Sequence, residues 1–210
     1  MAADGPRRAG LPAEASAKVG ALAKAATVVR ALKEAAAAHE RMAANVASVV
    51  AVADAITTAL RQGGSVLVFG NGGSAADAQH FSAELLGRYE QERRAWPAIA
   101  LTTDTSALTA ISNDHGFERV FARQLEALGR KGDVAIGIST SGNSPNVLRA
   151  LEAGNARGLI TVALTGRGGA AGTIATHHIA VEQERTARVQ EVHATLLHVI
   201  CELVEKDLNG

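Results

Sequence analysis

The chain has 210 residues, 47% of them apolar and 3% aromatic, and its 21 Lys and Arg balance 21 Asp and Glu to a formal charge of zero. That balance leaves no electrostatic footprint for nucleic acid or an anionic membrane surface. A single cysteine excludes an intramolecular disulfide framework and a Cys-based zinc cluster.

The length suits one domain with appendages, large enough to bury a real core. Residues 1–20 are rich in Ala, Gly, Pro and Arg without periodicity, which predicts a flexible N-terminal tail. They hold no continuous apolar stretch of the secretory-signal kind, and Asp4 and Glu14 count against a transit peptide. Across 21–62 the spacing turns helical. Leu22, Val28, Val29, Leu32, Met42, Val46, Val49, Val50, Val52 and Ile56 recur at near three-and-four intervals, in one long helix or two shorter ones ended by Gly63-Gly64.

From 63 to 210 the pattern alternates. Strands are expected at Ser65–Phe69, Ala98–Leu101, Asp133–Ile138, Ile160–Leu164 and His178–Val181. Helices are expected between and after them, at about Ala75–Leu86, Phe117–Leu128, Pro145–Arg157 and Ala187–Lys206. Short apolar strands separated by helices predict an α/β fold: a three-layer α/β/α sandwich around a mostly parallel five-stranded sheet, preceded by N-terminal helices. No apolar run approaches the ~18–20 residues of a membrane span, so a cytoplasmic protein is expected.

Two turns carry the chemistry. Gly70-Asn71-Gly72-Gly73-Ser74 follows the first strand, and Ser139-Thr140-Ser141-Gly142-Asn143-Ser144 follows the third, with Pro145 suited to the first position of the next helix. A strand, a small-residue turn and a helix N-terminus together present backbone N–H groups and hydroxyls at the positive end of a helix dipole, an arrangement that binds phosphate. Serines and glycines also make ordinary turns and N-caps. The same device twice, at strand ends where α/β sheets bind ligands, favours a phosphorylated small molecule. Neither turn continues into Gly-Lys-Ser/Thr, which counts against nucleoside triphosphate hydrolysis, and the first lacks the dinucleotide GxGxxG spacing.

His80 and Glu84 stand four apart on the helix leaving the first turn, so they share a face. Such a pair can hold a metal ion, act as acid and base, or be a surface helical pair. On the last helix Gln190 and His198 are eight apart, about 80° of rotation and ~12 Å of rise, near the limit for two side chains to converge on one ion. His193 faces away from His198. Adjacent His177 and His178 point to opposite faces of a strand and are read as structural. Cys201 lies among Ile200, Leu203 and Val204 and is expected to be a buried thiol.

With Asp77-Ala78-Gln79-His80-Phe81-Ser82-Ala83-Glu84, Gly87-Arg88-Tyr89, Asn113-Asp114 and Arg188-Val189-Gln190-Glu191-Val192-His193, the two turns resemble the phosphoheptose isomerases of the sugar-isomerase (SIS) domain family. The resemblance runs from about residue 40 to the end. It implies conversion of sedoheptulose 7-phosphate to D-glycero-D-manno-heptose 7-phosphate, by a homotetramer whose active sites draw on more than one subunit. It also implies zinc as cofactor, with His80, Glu84, Gln190 and His198 as ligands. Ser74, Ser139, Thr140, Ser141 and Ser144 would hold the phosphate. Asn71, Gly72, Arg88, Asn113, Asp114 and Gln190 would line the substrate site, with Thr186 nearby. Some members carry Asp where this chain has Ala187, so any hydroxyl contact made from there is missing.

A ketose–aldose interconversion needs a base for a carbon-bound proton and an acid/base partner for the oxygens; Glu84 and His198 are the expected pair. The rival reading is a non-enzymatic SIS-domain protein that binds the replication initiator, which Leu101-Thr102-Thr103-Asp104 and Leu108-Thr109-Ala110-Ile111 resemble. That relative lacks counterparts of Glu84 and His198, and both stand here. A sugar-phosphate sensor without turnover, or an amino-sugar enzyme of the same family, are further alternatives; the latter usually carries a second module for which this chain has no room.

Overall fold

The structure, a computed structural model, describes residues 13–209. The chain divides into two compact units with the boundary after Ala37. Helix α1 (Ala13–Ala43) runs through that boundary. Residues 1–12 of the expected tail lie outside the described residues, while 13–20 are helical.

The second unit contains α2 (Ala47–Arg61), β1 (Val66–Gly70), α3 (Gly73–Leu86), β2 (Ala98–Ala100) and α4 (Thr105–His115). A 3₁₀ turn (Phe117–Arg119) leads into α5 (Val120–Leu128), β3 (Val134–Ser139), α6 (Pro145–Ala156) and β4 (Ile160–Thr165). The chain then forms α7 (Ala171–Ile174), β5 (His177–Ala180) and α8 (Thr186–Asn209). The five strands pair in parallel in the order β2-β1-β3-β4-β5. The expected strands therefore form, with β2 shortened to three residues and β5 beginning one residue early, at His177.

Side chains alternate across the sheet because the strand period is two. Val66, Val68, Val134, Ile136, Ile138, Val162 and Leu164 face one layer, where they pack with Ile56 of α2, Phe81 and Leu85 of α3, and Val192, Leu197 and Ile200 of α8. Leu67, Phe69, Ala135 and Ala163 face the other, against Phe121 and Leu125 of α5 and Val147 and Leu151 of α6. Each fully buried Leu, Ile or Phe contributes about 1.5–3 kcal/mol. Helices on both faces of one sheet make the expected three-layer α/β/α sandwich.

Helix α4 was not expected. Asp104 caps it, its carboxylate accepting the amide of Ala107, and the helix buries no residue fully: only the short pair Leu108 and Ile111 packs, half-buried, against the core.

Strand order decides where a ligand can sit. From β1 the chain first crosses to β2 on one side, then to β3 on the other, so the order reverses between β1 and β3. In open parallel sheets the crevice outside the carboxyl ends at such a reversal is the binding position. Both Gly/Ser turns emerge there: Gly70 pairs with Ile138 in register, one residue before Ser139.

Candidate active site

The first turn joins β1 to α3. Ser74 is buried, its amide donating to the carbonyl of Asn71. Gly73 opens the helix with the Gln190 side chain against it: a Cβ there would come within 3 Å of the Gln190 carboxamide and push it aside.

The second turn joins β3 to α6. The Ser139 hydroxyl lies 3.0 Å from that of Ser144 and 3.4 Å from that of Ser141, and Ser141 Oγ accepts the amide of Asn143. Three hydroxyls thus gather at the N-terminus of α6, with Ser144 at the N-cap and Pro145 in the first turn. The segment after β4 braces this loop from behind, since the amides of Gly166 and Ala171 donate to the carbonyls of Thr140 and Gly142. Asn143 Oδ1 accepts the amide of Ala170.

An amide pair joins the two turns. Asn71 Nδ2 donates to Asn146 Oδ1 at 2.9 Å, and Asn146 Nδ2 returns a bond to Asn71 Oδ1 at 2.8 Å. Asn146 is buried in the first turn of α6 and had no sequence signal beyond its place after Pro145.

Farther along the helix that leaves the first turn, α3 and α8 bring three ligand-type groups together. His80 and His198 approach Nε2 to Nε2 at 2.7 Å with their rings edge-on. A Glu84 carboxylate oxygen lies 3.5 Å from His80 Nε2. One donor atom from each of the three falls within 4.8 Å of the others. Two imidazole nitrogens and a carboxylate oxygen aimed at a common point are a donor set that suits zinc. The Tyr89 ring stacks on His198, with centroids 5.7 Å apart. Asp77, one turn before His80, has a buried carboxylate oxygen that accepts no hydrogen bond among the described residues, and burial raises its carboxyl above the ordinary value.

The remaining sequence-derived candidates sit as follows. Gln190 reaches Gly73, at the start of the helix that carries His80 and Glu84. Arg88 is exposed and paired with Glu92 at 3.0 Å. Asn113 and Asp114 are exposed on α4 and bonded to each other. Thr140 is half-buried. Cys201 is buried, and burial first, then the nearby Glu84 and Glu205 carboxylates, push its thiol up to about 12, so it is no nucleophile.

A scan against family models matches residues 30–166 to the SIS domain. The phosphoheptose isomerase of Aquifex aeolicus (strain VF5) is 60% identical over 159 residues, covering 75% of this chain and 83% of that protein. This chain belongs to the SIS-domain family of phosphoheptose isomerases. Among solved structures, a phosphoheptose isomerase from Neisseria gonorrhoeae aligns with a TM-score of 0.79 at 44% identity, over 86% of this chain and 97% of that one. Another from Francisella tularensis aligns with a TM-score of 0.84 at 34% identity, over 87% and 98%. Like its relatives, this SIS-domain protein is an isomerase.

Two histidines outside the ligand cluster support the second turn of this isomerase. His193 is fully buried and meets the carbonyl of Thr165 at 3.1 Å; a carbonyl only accepts, so Nε2 carries the proton. His178 Nε2 lies 2.8 Å from the Thr165 hydroxyl, and Thr165 is followed by Gly166, which holds Thr140. Burial lowers His193 to about 4, against a partial rise from the Thr165 bond.

A ring kept neutral in the fold while the unfolded chain binds a proton stabilises the protein fully above the ordinary histidine value of 6.5. That stability is lost as pH falls from there toward 4. The contribution at stake is about 3 kcal/mol. Urea unfolding followed through Trp96, the chain's single tryptophan, is expected to show a midpoint that drops steadily between those pH values. His193→Gln is expected to flatten that slope.

Proposed function

We propose that this protein interconverts sedoheptulose 7-phosphate and D-glycero-D-manno-heptose 7-phosphate. One observation carries the reading: His80, Glu84 and His198 converge where α8 packs on the helix that leaves the first of two Gly/Ser turns, both placed at the reversal of strand order. The turns supply hydroxyls and helix N-termini for the phosphate, through Ser74, Ser139, Thr140, Ser141 and Ser144. Asn71, Gly72, Arg88, Asn113, Asp114 and Gln190 would contact the sugar chain.

Starting from the ketose, Glu84 takes the proton from C1. The C1–H electrons form the C1–C2 double bond, and the carbonyl electrons move to O2. His198 gives a proton to O2 and receives the one leaving O1, and the protonated Glu84 returns its proton to C2 to complete the aldose. The Tyr89 ring and the partner imidazole of His80 limit how far the His198 ring can turn during this exchange.

His80, Glu84, His198 and Gln190 would hold zinc, which when bound polarises the substrate's carbonyl and hydroxyl oxygens. A homotetramer is supported by apolar side chains left exposed on α1, including Leu22, Val28, Val29 and Leu32. We place the enzyme in the cytoplasm with its sugar-phosphate substrate. Among the described residues no single helix is long and apolar enough to cross a membrane.

The test is direct. Purified protein is expected to convert sedoheptulose 7-phosphate to the aldose by NMR, with deuterium entering at C2 in D₂O. An intact, metal-replete protein that neither turns over the ketose nor exchanges its C1 proton sinks the proposal.

A further inference from the structure

Helix α3 carries Glu84 within its last turn, and its C-terminal carbonyls have no partners within the helix. Arg93 returns from the following segment to take them. Its Nη2 donates to the carbonyl of Glu84 at 2.6 Å, and its Nη1 donates to those of Leu85 at 2.9 Å and Gly87 at 3.2 Å. The guanidinium also lies 3.6 Å over the ring of buried Trp96, and its Nε meets Glu205 Oε1 at 2.9 Å. Both side chains of that ion pair are only 2% exposed.

Glu205 is the second half of the device. It stands on α8 seven residues after His198, about two turns on along the same face. Its carboxylate accepts the amides of Tyr89 at 2.9 Å and of Glu90 and Gln91 at 3.0 Å. Burial pushes the Glu205 carboxyl up, but those amides and Arg93 together hold it below the ordinary range, so it stays ionised. A buried ion pair contributes little net stability compared with apolar side chains of the same shape. What it adds here is geometry: the pair fastens the end of α3 and the 89–91 backbone to α8, and those two helices carry His80, Glu84 and His198.

We propose that Arg93 and Glu205 are positioning residues of the isomerase site, holding Glu84 toward the two histidines and the Tyr89 ring stacked beside His198. The turnover arm of the test rests on the function proposed above; the spectroscopic arm does not.

Glu205→Gln keeps the shape but removes the charge that gathers the three amides and the guanidinium. Tyr89→Leu removes the stacked ring and leaves the buried pair intact. Both are compared with wild type by the imidazole NMR resonances of His198 in ¹⁵N-histidine-labelled protein, by thermal midpoint, and by kcat and KM for sedoheptulose 7-phosphate. The His198 resonances are expected to move in Tyr89→Leu, as the ring current is lost, and in the same direction in Glu205→Gln. The kcat of both is expected to fall about 10–100-fold, with KM within about threefold. A merely structural pair would lower the thermal midpoint of Glu205→Gln yet leave its His198 resonances and kcat unmoved, and that result overturns the proposal. If Glu205→Gln does not fold, Arg93→Lys, which keeps the charge but loses the forked donation to the helix carbonyls, decides by the same readings. If wild type shows no turnover, the function fails, and the His198 resonances alone decide this inference.

Discussion

Glu84→Gln is expected to lower turnover by about 10²–10⁴-fold while leaving affinity for inorganic phosphate within about twofold. The side chains are the same size, so the turn of α3 that carries position 84 keeps its packing, and the hydroxyls proposed to hold the phosphate lie at the opposite end of α3 (Ser74) and on the turn after β3. What is lost is a carboxylate oxygen 3.5 Å from His80 Nε2, the group proposed above to take up and return the carbon-bound proton. Steady-state kinetics, deuterium wash-in at C2 and bound-metal content separate the two things the carboxylate does. A variant that binds zinc as wild type does but no longer exchanges the C1 proton has lost a base. One that loses both has lost a ligand as well. Retention of most of the turnover and of the exchange would remove Glu84 from the chemistry altogether.

Gly142→Ala is expected to do comparable harm by a different route. Gly142 has φ +66°, in the left-handed region, and a Cβ there would overlap the backbone carbonyl of Gly168. The obstacle is main chain, which cannot rotate away as a side chain would. The strained dihedral and the forced separation of the two loops each cost about 1–3 kcal/mol. Ala171, whose amide bonds the Gly142 carbonyl, and Gly166, which holds Thr140, are displaced together with the turn. Calorimetry is expected to show a thermal midpoint lowered by several degrees, about 2–4 °C per kcal/mol for a chain of this size. Kinetics are expected to show KM raised more than kcat is lowered, because the hydroxyls of Ser139, Ser141 and Ser144 lose their common focus. An unchanged KM would mean that this turn does not hold the phosphate.

Much of this architecture can be read from local pattern. The apolar runs at 66–70, 134–139 and 160–165 announce buried parallel strands, and a Gly/Ser turn entering a helix announces an anion cradle whatever surrounds it. What resists reading is of two kinds. One is structure without an apolar period. Residues 13–20 begin a helix on an Ala-rich stretch whose high helical propensity leaves no amphipathic mark, and α4 rests on its Asp104 cap while burying nothing fully.

The other is convergence across distance. His80 and His198 are 118 residues apart, and Arg93 and Glu205 are 112 apart. Each looks in isolation like an ordinary helical or loop side chain. His80 and Glu84 could be seen to share a face, yet the approach of His198 to them depends on how α8 packs against α3. For Arg93 and Glu205 even the family motifs offered no prompt, because their part is to bond backbone groups, and backbone amides and carbonyls leave no trace in residue type.

The reciprocal bond between Asn71 and Asn146 carries a lesson for anyone redesigning this enzyme. Each carboxamide is usable by the other in one orientation only, so the mouth of the crevice is keyed, and neither half can be exchanged alone without stranding a donor or an acceptor. Swapping specificity between relatives should therefore succeed when both segments are transplanted as a matched set and fail when one travels by itself.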